Sequence, residues 1–186
     1  MSDVRVHALW LAQDDPKKNT AVLASKRGDI KLHKRFNTLP RRGIILEPLC
    51  GKVFGPEDHA LILDQGGAVV GLDCSWAHIE SSVEQVMKRT KLQPRMLPLL
   101  LAANPVNWGK PGRLTTAEAI ATILYLLGKK EQAEQVLGAF RWGPRFFELN
   151  KEPLEAYAAA TSSSELVSLQ FEFFDLGHLK EEDEEP

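Results

Sequence analysis

Cysteine is scarce in this 186-residue chain: Cys50 and Cys74 are the only two, too few for a disulfide framework or a cysteine-based zinc site. The five histidines are scattered without metal-ligand spacing, so no metal centre is expected. No apolar run approaches the length of a membrane span, and the opening Met1-Ser2-Asp3-Val4-Arg5 lacks the apolar region of a signal peptide. The expectation is a cytoplasmic protein with no membrane partner. Three common chemistries are also missing their motifs: no G-x-G-x-x-G follows a strand pattern, no P-loop occurs, and no G-x-S-x-G marks a hydrolase nucleophile. Internal repeats are absent. What remains, at 44% hydrophobic and 26% charged residues, is an ordinary soluble globular composition.

The net charge of −2 hides an asymmetry. Residues 1–46 hold ten Lys/Arg against four Asp/Glu, a net of +6, whereas residues 96–186 hold eight against fourteen, a net of −6. Five of those acids form the run 181–185, read as part of a solvated, disordered tail over 177–186. A basic N-terminal third suggests a polyanionic partner, nucleic acid being the commonest. Such clusters also occur on proteins that bind nothing anionic.

Apolar periodicity divides the chain. Strands are expected over 4–11, 30–32, 43–47 and 68–72, with helices over 21–25, 56–65 and 79–89. Asn19 or Thr20 can cap the first helix, and Pro48 stops the third strand. The run 97–103 has the length and composition of a buried strand. It breaks into Asn104-Pro105, Asn107, Gly109 and Pro111-Gly112, and Thr115 with Glu118 then forms a capping box that opens a helix. From there the pattern is helical to about residue 174. The domains expected are an α/β unit over 1–103, a helical unit over 104–176, and the acidic tail.

Four strand ends, at 14–20, 46–48, 72–76 and 97–116, share one supply: apolar side chains, exposed backbone groups, two helix N-termini and one Trp. Ligands of α/β proteins collect outside the carboxyl ends of strands, and anions collect at helix N-termini. That supply suits a flat aromatic ligand carrying a carboxylate and a cation, which an indole face attracts. S-adenosylmethionine has all three features. Residue by residue the plainer readings stay open, since Asp73 can be a cap and Trp76 a core residue.

The segments L-D-C-S-W at 72–76, D-P-K-K-N-T at 15–20, L-P-L-L-L-A-A-N-P-V-N at 97–107 and F-R-W-G-P-R-F-F-E-L-N at 140–150 resemble the small-subunit rRNA aminocarboxypropyltransferases of archaea and eukaryotes. The resemblance spans about residues 5–157. It implies a SPOUT-like α/β domain with a trefoil knot and an all-helical C-terminal domain. It also implies transfer of the 3-amino-3-carboxypropyl group from S-adenosylmethionine to a pseudouridine, its methylated form, or a uridine in a hairpin loop of small-subunit rRNA, on a pre-ribosomal particle and by a monomer.

Carried onto matching positions, Thr20 and the Thr116 backbone would hold the carboxylate, and the Leu72 carbonyl the ribose hydroxyls. Leu97 and Gly112 would meet adenine through backbone groups, with Leu46, Pro48, Leu114 and Ala119 on its faces. Trp76 would bury the sulfonium methyl, and Asp73 would sit beside the chain to be transferred, as base or as positioning group. Where some members carry cysteine this chain has Asn19, which speaks against a metal there. Phosphates would meet Lys17, Lys18, Lys26, Arg27, Lys31, Lys34, Arg35 and Arg41. Two rivals remain at this point: a SPOUT-type rRNA methyltransferase using the same cofactor, and a non-catalytic assembly factor that binds pre-rRNA.

Overall fold

A computed structural model describes residues 2–175. Its centre is a five-stranded sheet, β1 (Val6–Trp10), β2 (Lys31–His33), β3 (Gly43–Leu46), β4 (Ala68–Asp73) and β5 (Gln93–Arg95), in the order β2-β1-β4-β3-β5. Every pairing is parallel, so all five strands end on one edge of the sheet. Parallel strands need crossovers, and buried ones need cover on both faces.

The cover comes from eight helices: α1 (Thr20–Arg27), α2 (His59–Leu63), α3 (Ile79–Met87), α4 (Thr116–Leu126), α5 (Lys130–Leu137), α6 (Gly143–Leu149), α7 (Lys151–Ala159) and α8 (Ser163–Phe173). On one face Val6, Ala8, Ile44 and Val69 pack with α1 and α4, in a core that runs on through Val136, Phe146, Leu154, Tyr157 and Leu166. On the other face Leu9, Ile45 and Val70 pack with Val86 and Leu92. Neighbours on one strand thus serve opposite cores, as the two-residue period requires. Helix α4 is the most deeply set: Ile120, Ile123 and Leu124 are fully buried, each contributing about 1.5–3 kcal/mol of hydrophobic stabilisation. It can lie so close because Gly71 has no side chain; a Cβ there would come within 2.7 Å of Thr116 Cγ2.

The strands and helices expected over 4–95 are present, with ends shifted by a residue or two; the 56–65 helix is a 3-10 turn, Pro56–Asp58, running into α2. The expected strand over 97–103 is not there. The fifth strand is the shorter β5, and among the described residues two isolated bridges form beyond it, Val53 with Met96 and Leu101 with Pro111. Pro98 has no N–H to donate to a ladder. Side chains from the helical half meet the backbone instead: Leu99 N–H donates to Gln170 Oε1 (2.7 Å), Leu101 N–H to Asn150 Oδ1 (2.8 Å), and Tyr157 Oη to the Leu99 carbonyl (3.0 Å). The segment, with Pro98, Leu100, Ala102 and Ala103 buried, is held by α7, α8 and the Asn150 junction rather than by the sheet. Among the described residues no helix is long and apolar enough to cross a membrane. The acidic run 181–185 lies outside the described residues.

Candidate active site

A cavity of about 320 Å³ opens at the carboxyl edge of the sheet, in the size range of small-molecule sites. Leu46 and Pro48 at the end of β3, Leu72 at the end of β4, Leu97, and Gly112, Leu114, Thr116 and Ala119 at the entry to α4 all line it. Eight of the ten residues expected to bind cofactor therefore share one cavity. Thr20, at the start of α1, is not among the lining residues. Trp76 opens the 3-10 turn Trp76–His78 that follows β4; its side chain lies outside the described set. Glu47, Cys74, Ile79, Arg95, Met96 and Leu99 also line the cavity, and sequence reasoning had not singled them out.

Two helix N-termini are tied together at this edge, and that of α4 lines the cavity. Asn19 caps α1, accepting from Val22 N–H (3.0 Å), while Thr115 and Glu118 form the capping box of α4. Asp73 links the two: its Oδ2 accepts from Asn19 Nδ2 (2.5 Å) and its Oδ1 from Thr116 Oγ1 (2.7 Å). Thr20 Oγ1 accepts from Ala117 N–H (3.3 Å), a second bridge between the helices. Asp73 is buried, and burial holds its pKa above the ordinary carboxylate value, although hydrogen bonds from Thr116 and Asn19 pull the other way. Burial likewise pushes the neighbouring Cys74 thiol up to about 11.

Counting donors shows what the helix ends leave open. In α4, Ala117 N–H goes to Thr20 and Glu118 N–H to Thr115 Oγ1 (3.3 Å), which leaves Thr116 N–H without a described partner. In α1, Thr20 N–H and Ala21 N–H have none either. Glu118 is fully buried, and its carboxylate accepts from the backbone of Ala103, Asn104 and Thr115 and from Asn104 Nδ2, fixing the 103–115 loop. Gly112, in the left-handed region at φ 70, has donated its N–H to the Leu100 carbonyl (2.9 Å), so its own carbonyl is what it can offer a ligand.

Pairing parity exposes one more group. Ala68 N–H donates to the Arg42 carbonyl on the β3 side, and Leu11 N–H to the Asp73 carbonyl on the β1 side. Even-numbered residues of β4 therefore bond toward β3, and the Leu72 carbonyl faces that way. The residue in register to donate to it is Pro48, two residues past Leu46, where the pairing with Gly71 ends. Proline has no N–H, so the ladder leaves this carbonyl unclaimed at the cavity.

The eight basic residues expected to meet phosphates are all exposed. Lys17 and Lys18 precede α1, Lys26 and Arg27 end it, Lys31 is on edge strand β2, and Lys34, Arg35 and Arg41 follow on the loop to β3. Arg27 pairs with Asp29 (3.2 Å), and the Lys34 ammonium lies 5.3 Å from the Trp10 ring centre. Among the described residues no group of three His, Cys, Asp or Glu side chains is arranged to hold a metal.

A parallel α/β fold, a largely apolar cavity at the strand ends and unclaimed backbone groups around it define a protein built to bind a small organic ligand. Comparison with known proteins places the chain in a family. The family model "Ribosome biogenesis protein, C-terminal" matches residues 44–174, and the chain belongs to this family. A protein of Methanosarcina acetivorans named 16S rRNA aminocarboxypropyltransferase is 42% identical over 168 residues, covering 90% of this chain and 93% of its own. One of the same name from Methanopyrus kandleri is 42% identical over 159 residues, covering 86% and 92%. The solved structure of the SAM-dependent rRNA:acp-transferase Tsr3 from Vulcanisaeta distributa aligns with a TM-score of 0.78 at 40% identity, covering 87% of this chain and 86% of its own.

Proposed function

We infer that this chain is an S-adenosylmethionine-dependent 16S rRNA aminocarboxypropyltransferase. One observation carries the reading: relatives of that name match the chain over nearly their whole length at about 40% identity. Eight of the ten residues expected around the cofactor line one cavity of suitable size, which supports it. The finer target is a pseudouridine, methylated or not, in a hairpin loop of small-subunit RNA, met on a pre-ribosomal particle in the cytoplasm by a monomer. The SPOUT-like knot, the division at residue 103 and the all-helical nature of 104–176 belong to the same proposal; the insertion of β4 between β1 and β3 supports the first.

The residues present fit the cofactor. Leu46, Pro48, Leu114 and Ala119 supply apolar walls for a purine, and the Gly112 carbonyl and the Leu97 N–H, which has no described partner, can meet its edge. The Leu72 carbonyl is free to accept from a ribose hydroxyl. Thr116 N–H and Thr20 N–H, at two helix N-termini bridged by Asp73 and by the Thr20 hydroxyl, would together with that hydroxyl hold a carboxylate. Bound there, the cofactor supplies a sulfonium with three activated carbons.

This chain's residues choose among them. A carboxylate held at α1 and α4, with Trp76 assigned to the methyl, would leave the propyl carbon for the nucleophile and 5′-methylthioadenosine as the leaving group; presenting one carbon selects the product. Asp73 keeps the two helix ends in register and would stand beside the chain to be transferred. Its raised pKa suits it to take the proton that the base nitrogen loses. The basic stretch holds RNA phosphates, and the unpaired loop base enters the cavity.

The test supplies cofactor labelled separately in its carboxyl and methyl carbons with small-subunit RNA. Carboxyl label in RNA is the expected result. Methyl label alone would convert the reading to a methyltransferase, and no transfer with intact RNA binding to an assembly factor.

A further inference from the structure

Glu47 is the one carboxylate among the residues lining the cavity, and no charge answers it. It is 4% exposed. The Leu49 N–H donates to its Oε1, and no other described donor reaches either oxygen. Arg95 lines the same cavity but its guanidinium is spent elsewhere: Nε and Nη2 bind Asp58 (2.9 and 2.7 Å), Nη2 also takes Gln93 Oε1, and Nη1 the Pro94 carbonyl. A carboxylate removed from water with a single N–H partner is costly, and such groups are tolerated where a ligand completes them. Burial accordingly raises the Glu47 pKa, opposed only by the Leu49 N–H.

Position narrows the ligand group. The β3–β4 pairing ends at Leu46 with Gly71, so Glu47 and Leu72 are the next residues out on adjacent strands. One offers a carboxylate and the other a carbonyl that Pro48 leaves unclaimed. Two acceptors side by side call for two adjacent donors. The one vicinal donor pair in S-adenosylmethionine is the ribose diol. We propose that Glu47 accepts a ribose hydroxyl of the cofactor beside the Leu72 carbonyl, making the end of β3 the nucleoside-recognition point of the cleft. The proposal rests on the cofactor reading above. It assigns Glu47 the selection of ribo- over deoxyribonucleosides.

Calorimetric titration of S-adenosylhomocysteine and its 2′-deoxy and 3′-deoxy analogues tests this, using the unmodified protein, Glu47→Gln and Glu47→Met, each checked for native melting. For the unmodified protein, at least one deoxy analogue should bind roughly tenfold to hundredfold more weakly, the range for losing a hydrogen bond to a charged group. That penalty should shrink to a few-fold in Glu47→Gln, which keeps an acceptor, and to about the level of an uncharged contact in Glu47→Met. An equal penalty in all three proteins overturns the assignment, because the hydroxyl is then held by another group. Should Glu47→Met fail to fold, the Gln variant alone decides on the same criterion. Absence of S-adenosylhomocysteine binding by the unmodified protein sinks the cofactor reading itself, and the proposal with it.

Discussion

The ends of β4 and β3 lie side by side and each places an acid in the chain's interior, yet their surroundings differ. At the end of β4, both oxygens of Asp73 are engaged, by an amide and a hydroxyl from two different helices. At the end of β3, Glu47 has one backbone N–H and faces a cavity. Burial raises both pKa values. Residue type and pKa direction therefore do not separate their roles; the number of partners does. The engaged acid organises the protein, and the under-engaged one is available to a ligand.

The largest effect expected from breaking this contrast is at the engaged end. Asp73→Ala leaves the Asn19 amide and the Thr116 hydroxyl buried without their acceptor, at about 1–3 kcal/mol each. Urea unfolding should show a loss of about 3 kcal/mol. Asp73→Asn keeps the shape and should lose less. If the Asn variant folds, binds cofactor and is inactive at every pH, Asp73 is the proton acceptor; activity retained across the pH range restricts it to positioning.

RNA binding sharpens the comparison from outside. The basic residues flank α1, β2 and the loop to β3, so charge removal at Lys31, Lys34 and Arg35 should flatten the dependence of log affinity on log salt, by about 0.9 for each phosphate no longer neutralised. Changes at Lys129, Lys130 or Arg145 should leave that slope alone. The opposite pattern would put the RNA on the helical half.

The smallest effect concerns pH and stability. A carboxylate whose folded pKa is raised contributes stability that is full below its unfolded pKa and is lost as pH rises through the folded value. Glu47→Gln removes a charge that the apo fold does not answer, so it should raise the melting temperature at pH 7, by no more than about 1 kcal/mol in stability. The difference should close as the pH falls into the ordinary carboxylate range. A stabilised variant with weakened cofactor binding is the signature of a group retained for function.

Much of this was legible in the residues and some was not. The cap at Asn19, the Thr115–Glu118 box and the strand stopped by Pro48 are local signals, and the structure realises each. The 97–103 run misled because a buried extended segment has the same composition whether a ladder or side-chain amides satisfy its backbone; the amides of Asn150 and Gln170 lie 49 and 71 residues away. Glu47 was missed for a similar reason. As the last residue of an apolar run before a proline it reads as a strand terminus, and its isolation depends on Arg95 being committed to Asp58, 37 residues distant. The missing Pro48 N–H was visible in the sequence, but its consequence for the Leu72 carbonyl needs the parallel register.

In the function proposed, two joined helix N-termini hold the cofactor's carboxylate and so decide which carbon is transferred. This is tested most directly by titrating Thr20→Asp with S-adenosylmethionine and with 5′-methylthioadenosine, which lacks the aminocarboxypropyl group, alongside a melting curve. An anion placed within about 4 Å of the carboxylate costs roughly 4 kcal/mol at an effective dielectric near 20, about a thousandfold in affinity. S-adenosylmethionine binding should fall by that order while methylthioadenosine binds the folded variant as it binds the unmodified protein. Equal affinities of the variant and the unmodified protein for S-adenosylmethionine, or equal losses for both ligands, would place the carboxylate elsewhere and contradict it.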